Sequence, residues 1–597
     1  MAIDYYGIDT ETYNRGGTGL KSIQIFGEKE QKYIAISEDI VHLPDEVIRY
    51  RLLDELFEFF ESRPNDSVFY FFNLTFDFSQ MEKYFVERYE QRDGFHLQKG
   101  ECNIMQSPNK MYSVRFRTKS SGRMIYFYDL WLLTNSSLSS SAKAFVGDTK
   151  IFIDNKNFRK GVPSPAEKKY AMKDAEITYK LAMALKDIHG FDLTTKMTIG
   201  ARSLSLFNEV VSTDGDSIDI AGVECPTHGQ PAKDIHDYFN ISQKDIKIFE
   251  KMLRRSTRGG ICQAFRTGVF NNCVHIDIHS AHPSQMVKSI PYGPMLTDKP
   301  EGTYDTVVYP DGVFVLKPGG LKMMTFTSKA NCLRYQYITE NKPGIFVEDF
   351  ALDGSYGIWK DEYDLIVSQY DFVGTVKEYY FQSRVDPRLS ALIKTLYHGK
   401  ETTKGARRTV YKYLLNSLYG KFLTRPDGEK IGYVIEDGQV KRCKEKDDTR
   451  KPVALPLGSW IATQTRVQLM STALKVKDYN KNLLYCDTDS LIFRYYDGWE
   501  NDIPIGDNLG DWGIESMPEK VNVVGPKTYQ EVIDGVTKTK CAGLSRSVSD
   551  LIPFGELVDG YMTTRIKAER DPDTLAISLT ERPFKVSTKP QLYKGGH

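Results

Sequence analysis

The stretch LLYCDTDSLIF, residues 483–493, sets the apolar run Leu483 to Cys486 ahead of acids at Asp487 and Asp489, and closes on Leu491 to Phe493. Apolar runs around a short polar centre predict a strand, a tight turn and a second strand. Asp487 and Asp489 are two residues apart, so in extended backbone they would share a face, and near a turn they would stay close. Two such carboxylates repel unless a cation lies between them. Hard oxygen donors select magnesium or manganese. Taken alone, Asp-Thr-Asp could equally cap a surface hairpin.

A second segment, IDIHSAHPS at 276–284, changes that balance. Val274, His275, Ile276 and Asp277 alternate as in a strand with one buried face. The strand is expected to end at His282, Pro283 and Ser284, where proline blocks further central pairing. An acid there, beside a second acidic strand, completes a site for two cations. Between the two segments, Lys404, Arg408, Lys412 and Asn416 recur every four residues, one face of a helix that Tyr419 continues. Like charges at that spacing repel by roughly a few tenths of a kcal/mol each, and a polyphosphate would relieve them. Gly420 is expected to break the helix beside Asn416, Ser417 and Tyr419, letting a backbone or base approach closely.

The N-terminal third carries its own acids. GIDTET puts Asp9 and Glu11 on one side of a strand. FNLTFD supplies Asn73, Phe76 and Asp77 after the apolar Val68 to Phe72, and Tyr170 and Asp174 lie one helical turn apart. Each alone could be a cap or a surface acid.

In this order, IDIHSAHPS, YKYLLNSLYGK (411–421) and YCDTDS resemble motifs A, B and C of family B DNA polymerases, in the protein-primed branch. The likeness runs from Asp9 to about Gly543. The N-terminal acids resemble the 3′–5′ proofreading exonuclease that accompanies these polymerases. The fold implied is a multidomain α+β and α/β chain, with a ribonuclease H-like exonuclease and a right-hand polymerase of palm, fingers and thumb. Residues 1–200 would be the exonuclease, 201–288 the first part of the palm, 387–421 the fingers, 453–551 the rest of the palm and 552–597 the thumb. Two insertions, 289–386 and 422–452, fall where this branch docks its priming protein and encloses DNA for processivity and strand displacement. IGYVIEDGQVKRC in the second reads as a hairpin turning at Asp437 and Gly438.

By the same resemblance, Asp277 and Asp489 would hold two magnesium (or manganese) ions, with Asp487 a neighbouring ligand or charge support. Arg408 and Lys412 would bind the triphosphate, and Asn416, Ser417, Tyr419 and Gly420 would lie near the nascent pair. Asp9, Glu11, Asp77 and Asp174 would hold a second pair of ions, about 3.5–4 Å apart, that polarise the phosphate and activate water. Tyr170 would position that water, Asn73 and Phe76 would touch the frayed primer end, and Lys150 matches a basic residue of this exonuclease. Lys527 and Tyr529 match a Lys-x-Tyr motif that holds the primer. The family's Tyr-x-Gly-Gly loop, which contacts template, appears as Thr257, Arg258, Gly259 and Gly260, so its tyrosine is missing; the glycines suit close phosphate approach. The partners implied are primer–template DNA, deoxynucleoside triphosphates and a terminal protein, for a monomeric enzyme.

Lys plus Arg equals Asp plus Glu at 79 each among 597 residues, so no global basic signature announces nucleic acid; two acidic sites can balance a basic channel. The length suggests about four domains. The eight cysteines show no zinc spacing beyond an isolated Cys225–His228 couple and read as reduced thiols of a cytoplasmic protein. No run approaches the ~20 apolar residues of a membrane span, and MAIDYYGIDTET has no basic segment followed by an apolar one. Ser212 to Asp234 reads as a linker. The basic end, Lys585, Lys589 and Lys594, would either track duplex phosphates or fray. Two other readings remain: a non-catalytic DNA-binding replication protein, which should lack a carboxylate somewhere, and a polymerase primed by nucleic acid.

At motif A the family usually has tyrosine under the incoming sugar, where this chain has His282. Imidazole is smaller than phenol, so sugar discrimination would be looser; the alternative is that His282 simply packs against Pro283 and the palm. Wild type is expected to incorporate ribonucleotides more readily than His282→Tyr; equal discrimination in a competition assay would remove the steric explanation.

Overall fold

The computed structural model describes residues 3–13, 19–89, 102–108, 110–153, 158–189, 198–220, 223–227, 229–240, 253, 257, 259–322, 349–354, 356–424, 428–447 and 453–587. Arg258, His228, Lys589 and Lys594 lie outside them.

The N-terminal part is built on seven strands: β1 (Ile3–Tyr13), β2 (Gly19–Gly27), β3 (Gln31–Ala35), β4 (Asp66–Phe71), β5 (Cys102–Ser107), β6 (Lys110–Arg117) and β7 (Met124–Asp129). They lie in the order β3-β2-β1-β4-β7-β6-β5. β1 and β7 both run parallel to the central β4. Val68, Phe69, Tyr70 and Phe71 of β4 are all buried, the continuous apolar run of a strand covered on both faces. One cover is α1 (Asp45–Glu61), whose Leu52, Leu56, Phe57 and Phe60 enter the core. Two short helices, α2 (Leu74–Ser79) and α3 (Glu82–Tyr89), follow β4, and α4 (Pro165–His189) carries Tyr170 and Asp174. Gly7 lets α4 reach the sheet: a Cβ there would stand 2.2 Å from the Ala175 carbonyl oxygen. That close approach brings Asp174 over β1.

Ser212 to Asp234 is not a free linker. α5 (Ile199–Ser212) ends there and a hairpin follows, β8 (Ser217–Ile220) with β9 (Val223–Pro226), burying Cys225. The fully buried Arg388 donates to the carbonyls of Val210, Val211, Thr213 and Gly229 at 2.5–3.2 Å. These include the helix-end acceptors that have no partner within a helix. Composition hid this because the anchoring residue lies far along the chain.

The part expected to be the polymerase begins with β10 (Cys262–Ala264), β11 (Gly268–Asn271) and β12 (Cys273–Ile278). Next come β13 (Ser289–Leu296), β14 (Tyr304–Leu316), β15 (Asp349–Asp353), β16 (Ile358–Trp359) and β17 (Tyr370–Val385). These five form one sheet in the region expected to be the first insertion, ordered β13-β17-β14-β15 with β16 on β14. Two antiparallel-packed helices follow, α6 (Pro387–Thr402) and α7 (Gly405–Phe422). α6 starts where Asp386 accepts the Leu389 amide at 2.8 Å and proline takes the first position. α7 runs through Gly420 to Phe422, so that glycine does not break the helix as expected. A glycine costs about 1 kcal/mol in a helix, which burial of Leu415, Leu418 and Phe422 readily offsets. Lys404, expected on the helix, is its extended N-terminal flank.

β18 (Gly428–Glu436) and β19 (Gln439–Asp447) pair around Asp437 and Gly438. Both turn residues have positive φ, 52° and 74°, the tight hairpin read from the sequence. After α8 (Leu455–Ala473) come β20 (Leu483–Asp487), β21 (Ser490–Arg494), β22 (Trp512–Ser516), β23 (Lys520–Gly525), β24 (Thr528–Ile533) and β25 (Val536–Cys541). The sheet expected to form the palm is ordered β10-β20-β21-β12-β22, and a second sheet β11-β23-β24-β25. The chain closes on the hairpin β26 (Met562–Arg570) with β27 (Ile577–Lys585). Among the described residues no helix is long and apolar enough to cross a membrane.

Candidate active sites

In the palm sheet, β12 and β21 are antiparallel neighbours with Asp277 opposite Ser490. The Ile278 amide donates to the Asp489 carbonyl at 2.8 Å. Residues far apart in sequence are thereby joined, and Asp489 lies close enough for its charge to act on the ionisation of Asp277. Burial first, then the Asp489 charge and Glu515 on β22, push Asp277 up to about 7. Burial, then Asp487, push Asp489 up to about 6. Lys412 of α7 opposes both shifts, so its ammonium points into the same space.

The turn between β20 and β21 does not keep the alternation of a strand. Thr488 has φ 60° and the Asp489 amide folds back to the Asp487 carbonyl at 2.6 Å, yet the Asp487 charge still acts on Asp489. Asp487 is taken by Lys527, whose Nζ donates to both its oxygens at 2.9 and 3.1 Å, with Lys540 at 3.6 Å. Direct ligation by Asp487 is therefore not what this geometry favours; charge support is. Gly260 is needed beside this turn, since a Cβ there would lie 2.6 Å from the Thr488 side chain. The close approach expected of this loop to phosphate is, at Gly260, an approach to protein. The Gly259 carbonyl accepts from the buried Arg466 at 3.3 Å. Tyr529 is buried against Tyr485, ring centroids 5.0 Å apart.

His282 stacks on Tyr419 at 4.2 Å and 26°, which joins motif A to α7. Loss of water there pushes the imidazole down to about 4, so it is neutral at physiological pH. Arg408, Lys412 and Asn416 form one exposed row on α7, and a side chain at Gly420 would meet nothing within 4 Å. Ser417 is half-buried beside them. Sequence reasoning missed Lys400. It is buried on α6, where its Nζ donates to Ser280 Oγ at 3.1 Å, in the left-handed residue (φ 55°) between Asp277 and His282. The signal was available: Lys400 continues the apolar stripe Leu389, Leu392, Ile393 and Leu396, where a lysine has no packing reason to be.

In the part expected to be the exonuclease, ligand atoms of Asp9, Glu11 and Asp174 lie within 4.8 Å of one another. Asp77 joins through Thr10, whose hydroxyl donates to its Oδ1 at 2.6 Å. Burial raises all four: Asp9 and Asp174 upward, Glu11 to about 8 and Asp77 to about 7, with neighbouring carboxylates adding at Asp9, Glu11 and Asp77. Lys150 relieves part of this at 2.5 Å from Asp174 Oδ2, and its Nζ is 5.1 Å from the Tyr170 ring centroid. Burial disfavours its charge, but Asp174 more than restores it. Among the described residues no donor hydrogen-bonds the buried Asp174 Oδ1. Buried carboxylates with a free oxygen and one lysine suit a hard divalent cation.

Asn73 stands in left-handed backbone (φ 83°) because Asp129, at the end of β7, accepts its amide and that of Trp131, both at 2.9 Å. Asp129 is a second residue the sequence reading missed; burial pushes it to about 6. Phe76 is half-buried on α2.

The profile of the family described as DNA polymerase type B, organellar and viral, matches residues 148–504. The chain belongs to this family. It is a DNA-directed DNA polymerase, as the two carboxylate sites lead one to expect. It is similar to the DNA polymerase of Bacillus phage B103, 24% identical over 433 residues, 67% of this chain and 69% of that one. The DNA polymerase of Streptococcus phage Cp-1 is 27% identical over 305 residues, 48% and 51% of the two chains. The fold is that of Phi29 DNA polymerase in complex with primer-template DNA and incoming nucleotide, with TM-score 0.76 and 19% identity over 98% of this chain and 100% of that one.

The raised acids set the sign of a pH effect. Without metal, charged Asp277 and Asp489 disfavour the folded state, since their folded values of about 7 and about 6 exceed the unfolded ~3.9. This contribution to stability is complete below about pH 4 and is lost as pH rises through about 6 to 7. In EDTA at about pH 8, Asp277→Asn is expected to be more stable than wild type by on the order of 2 kcal/mol. The gap should close near pH 4 or on adding magnesium; melting curves that superimpose at every pH would contradict the assignment.

Proposed function

We propose that this polymerase proofreads with its N-terminal site, displaces strand as it advances, and begins chains on a protein hydroxyl. The observation that carries the reading is Asp277 beside Asp489 under Lys412, with a separate buried cluster of Asp9, Glu11 and Asp174. Structures of the same fold titled as complexes with primer-template DNA, incoming nucleotide and single-stranded DNA support DNA and nucleoside triphosphates as partners.

Asp277 and Asp489 would hold the palm cations, and Asp9, Glu11, Asp77 and Asp174 those of the exonuclease; magnesium or manganese fits an all-carboxylate donor set. Bound there, such ions would neutralise phosphate oxygens and favour ionisation of the attacking oxygen. The rest falls to side chains. Lys412, Arg408 and the buried Lys400 neutralise the triphosphate, and Lys527 keeps Asp487 as a fixed neighbouring charge. The His282–Tyr419 stack underlies the incoming nucleoside, and the open flank at Asn416, Ser417 and Gly420 faces the nascent pair. Lys527 and Tyr529 grip the primer, while Arg258 and Gly259 meet the template. The primer 3′-oxygen, or a hydroxyl of the priming protein, then attacks the α-phosphate and pyrophosphate leaves. Catalysis is chiefly orientation and fixed charge. In the exonuclease, Tyr170 orients water, Lys150 steadies Asp174, and Asn73 with Phe76 holds the frayed end. A monomer working in the cytoplasm of a phage host fits the relatives.

Asp489→Ala is expected to abolish primer extension and leave single-strand degradation, with Asp9→Ala the reverse; loss of both activities from either change would sink the two-site division. Protein priming is tested with labelled deoxynucleotides and small proteins encoded beside this chain. Covalent label on one of them is expected, and failure with every neighbour favours a nucleic-acid primer.

A further inference from the structure

Glu82, the first residue of α3, has a carboxylate with no solvent exposure. Its partners come from two distant parts of the chain. Tyr433 and Arg442, opposite each other in the hairpin β18/β19, give it a hydroxyl hydrogen bond at 2.6 Å and an ion pair at 3.2 Å. Arg570, at the end of β26, pairs with the other oxygen and also donates to the Leu575 carbonyl at 2.6 Å. Gln106 of β5 closes the set by binding Tyr433 and, at 2.9 Å, Arg442. Val86 of α3, Val440 of β19 and Leu575 form a small buried cluster alongside. The seam continues where the Ile577 amide donates to Ser79 Oγ at 3.0 Å and Gln80 donates to the Ile577 carbonyl at 3.3 Å.

Both hairpins are rooted in the polymerase half. β18/β19 leaves between α7 and α8, and β26/β27 follows the sheet that carries Lys527. Each returns to the exonuclease half at the same helix, so the chain closes on itself twice at one joint. Apolar contact there is small. A carboxylate between two guanidiniums acts through direction and charge, and breaking it leaves two like charges facing each other without a counterion.

We propose that Glu82 is a positioning residue for polymerisation: it latches both hairpins onto the exonuclease half, so that DNA lying between the two sites is retained through successive additions. This rests on the DNA-copying reading above. Glu82 touches neither group of catalytic carboxylates, so its loss should divide activities that a folding defect would lower together.

The test uses the full chain on a long primed template with heparin as a trap for released enzyme. For Glu82→Gln, the length synthesised per binding event is expected to fall at least about tenfold, more steeply as salt rises. Single-nucleotide incorporation and digestion of a single-stranded oligonucleotide should hold at wild-type rates. Arg570→Gln, placed in the other half, should reproduce the defect without any change to the exonuclease part. Wild-type product length from Glu82→Gln would overturn the proposal, as would a parallel fall in all three activities. A wild-type chain that extends no primer would instead remove the reading on which the proposal stands.

Discussion

The structure depends on keeping carboxylates close together in poorly hydrated surroundings. Asp9, Glu11, Asp77 and Asp174 form one such group, and Asp277 and Asp489 another, each with pKa raised mainly by burial. Like charges under these conditions would part if the backbone allowed it. It does not, because β1, β12 and β21 are inner strands held by neighbours on both sides. Lysines, Lys150 in one site and Lys540 with Lys412 in the other, temper the repulsion without cancelling it. What remains is an affinity for divalent cations that the chain has built in advance.

Holding these groups in place needs unusual backbone at a few points. Asn73, Ser280 and Thr488 all have positive φ, a conformation that non-glycine residues adopt at some cost. Each is secured by a specific partner: Asp129 for Asn73, Lys400 for Ser280, and for Thr488 the Ile261 carbonyl, which accepts a hydrogen bond from its amide at 2.6 Å. Two glycines act by having no side chain, Gly7 under α4 and Gly260 beside Thr488. At these three positions the strain lies beside an acidic site and is held by a hydrogen bond from or to a buried group.

Much of this was legible in residue order. The strand–turn–strand of YCDTDS, the helix bearing Arg408, Lys412 and Asn416, and the hairpin at Asp437–Gly438 are local patterns, and each formed as local rules predict. The misreadings share a cause. Gly420 was taken as a helix breaker because propensity was weighed without the burial of Leu418 and Phe422 on the same helix. Ser212–Asp234 was read as a linker because nothing nearby reveals that Arg388 would cap it. Asp487 and Asp489, expected to stay close near a turn, do so, but no local pattern shows that Lys527 would take Asp487.

The chain's order of residues determined which chemistry is available: hard oxygen donors in two groups, a basic helix between motifs, and a tight hairpin after it, all consequences of side-chain type and short-range periodicity. Only tertiary structure decided how those groups are shared out. It joined Asp277 to Asp489 by sheet pairing, gave Asp487 to Lys527, brought Lys400 and Asp129 into the sites, and gathered three segments on Glu82. These are contacts between residues tens to hundreds of positions apart, where partners are selected by packing geometry and the need to satisfy buried charge, and no local pattern records them.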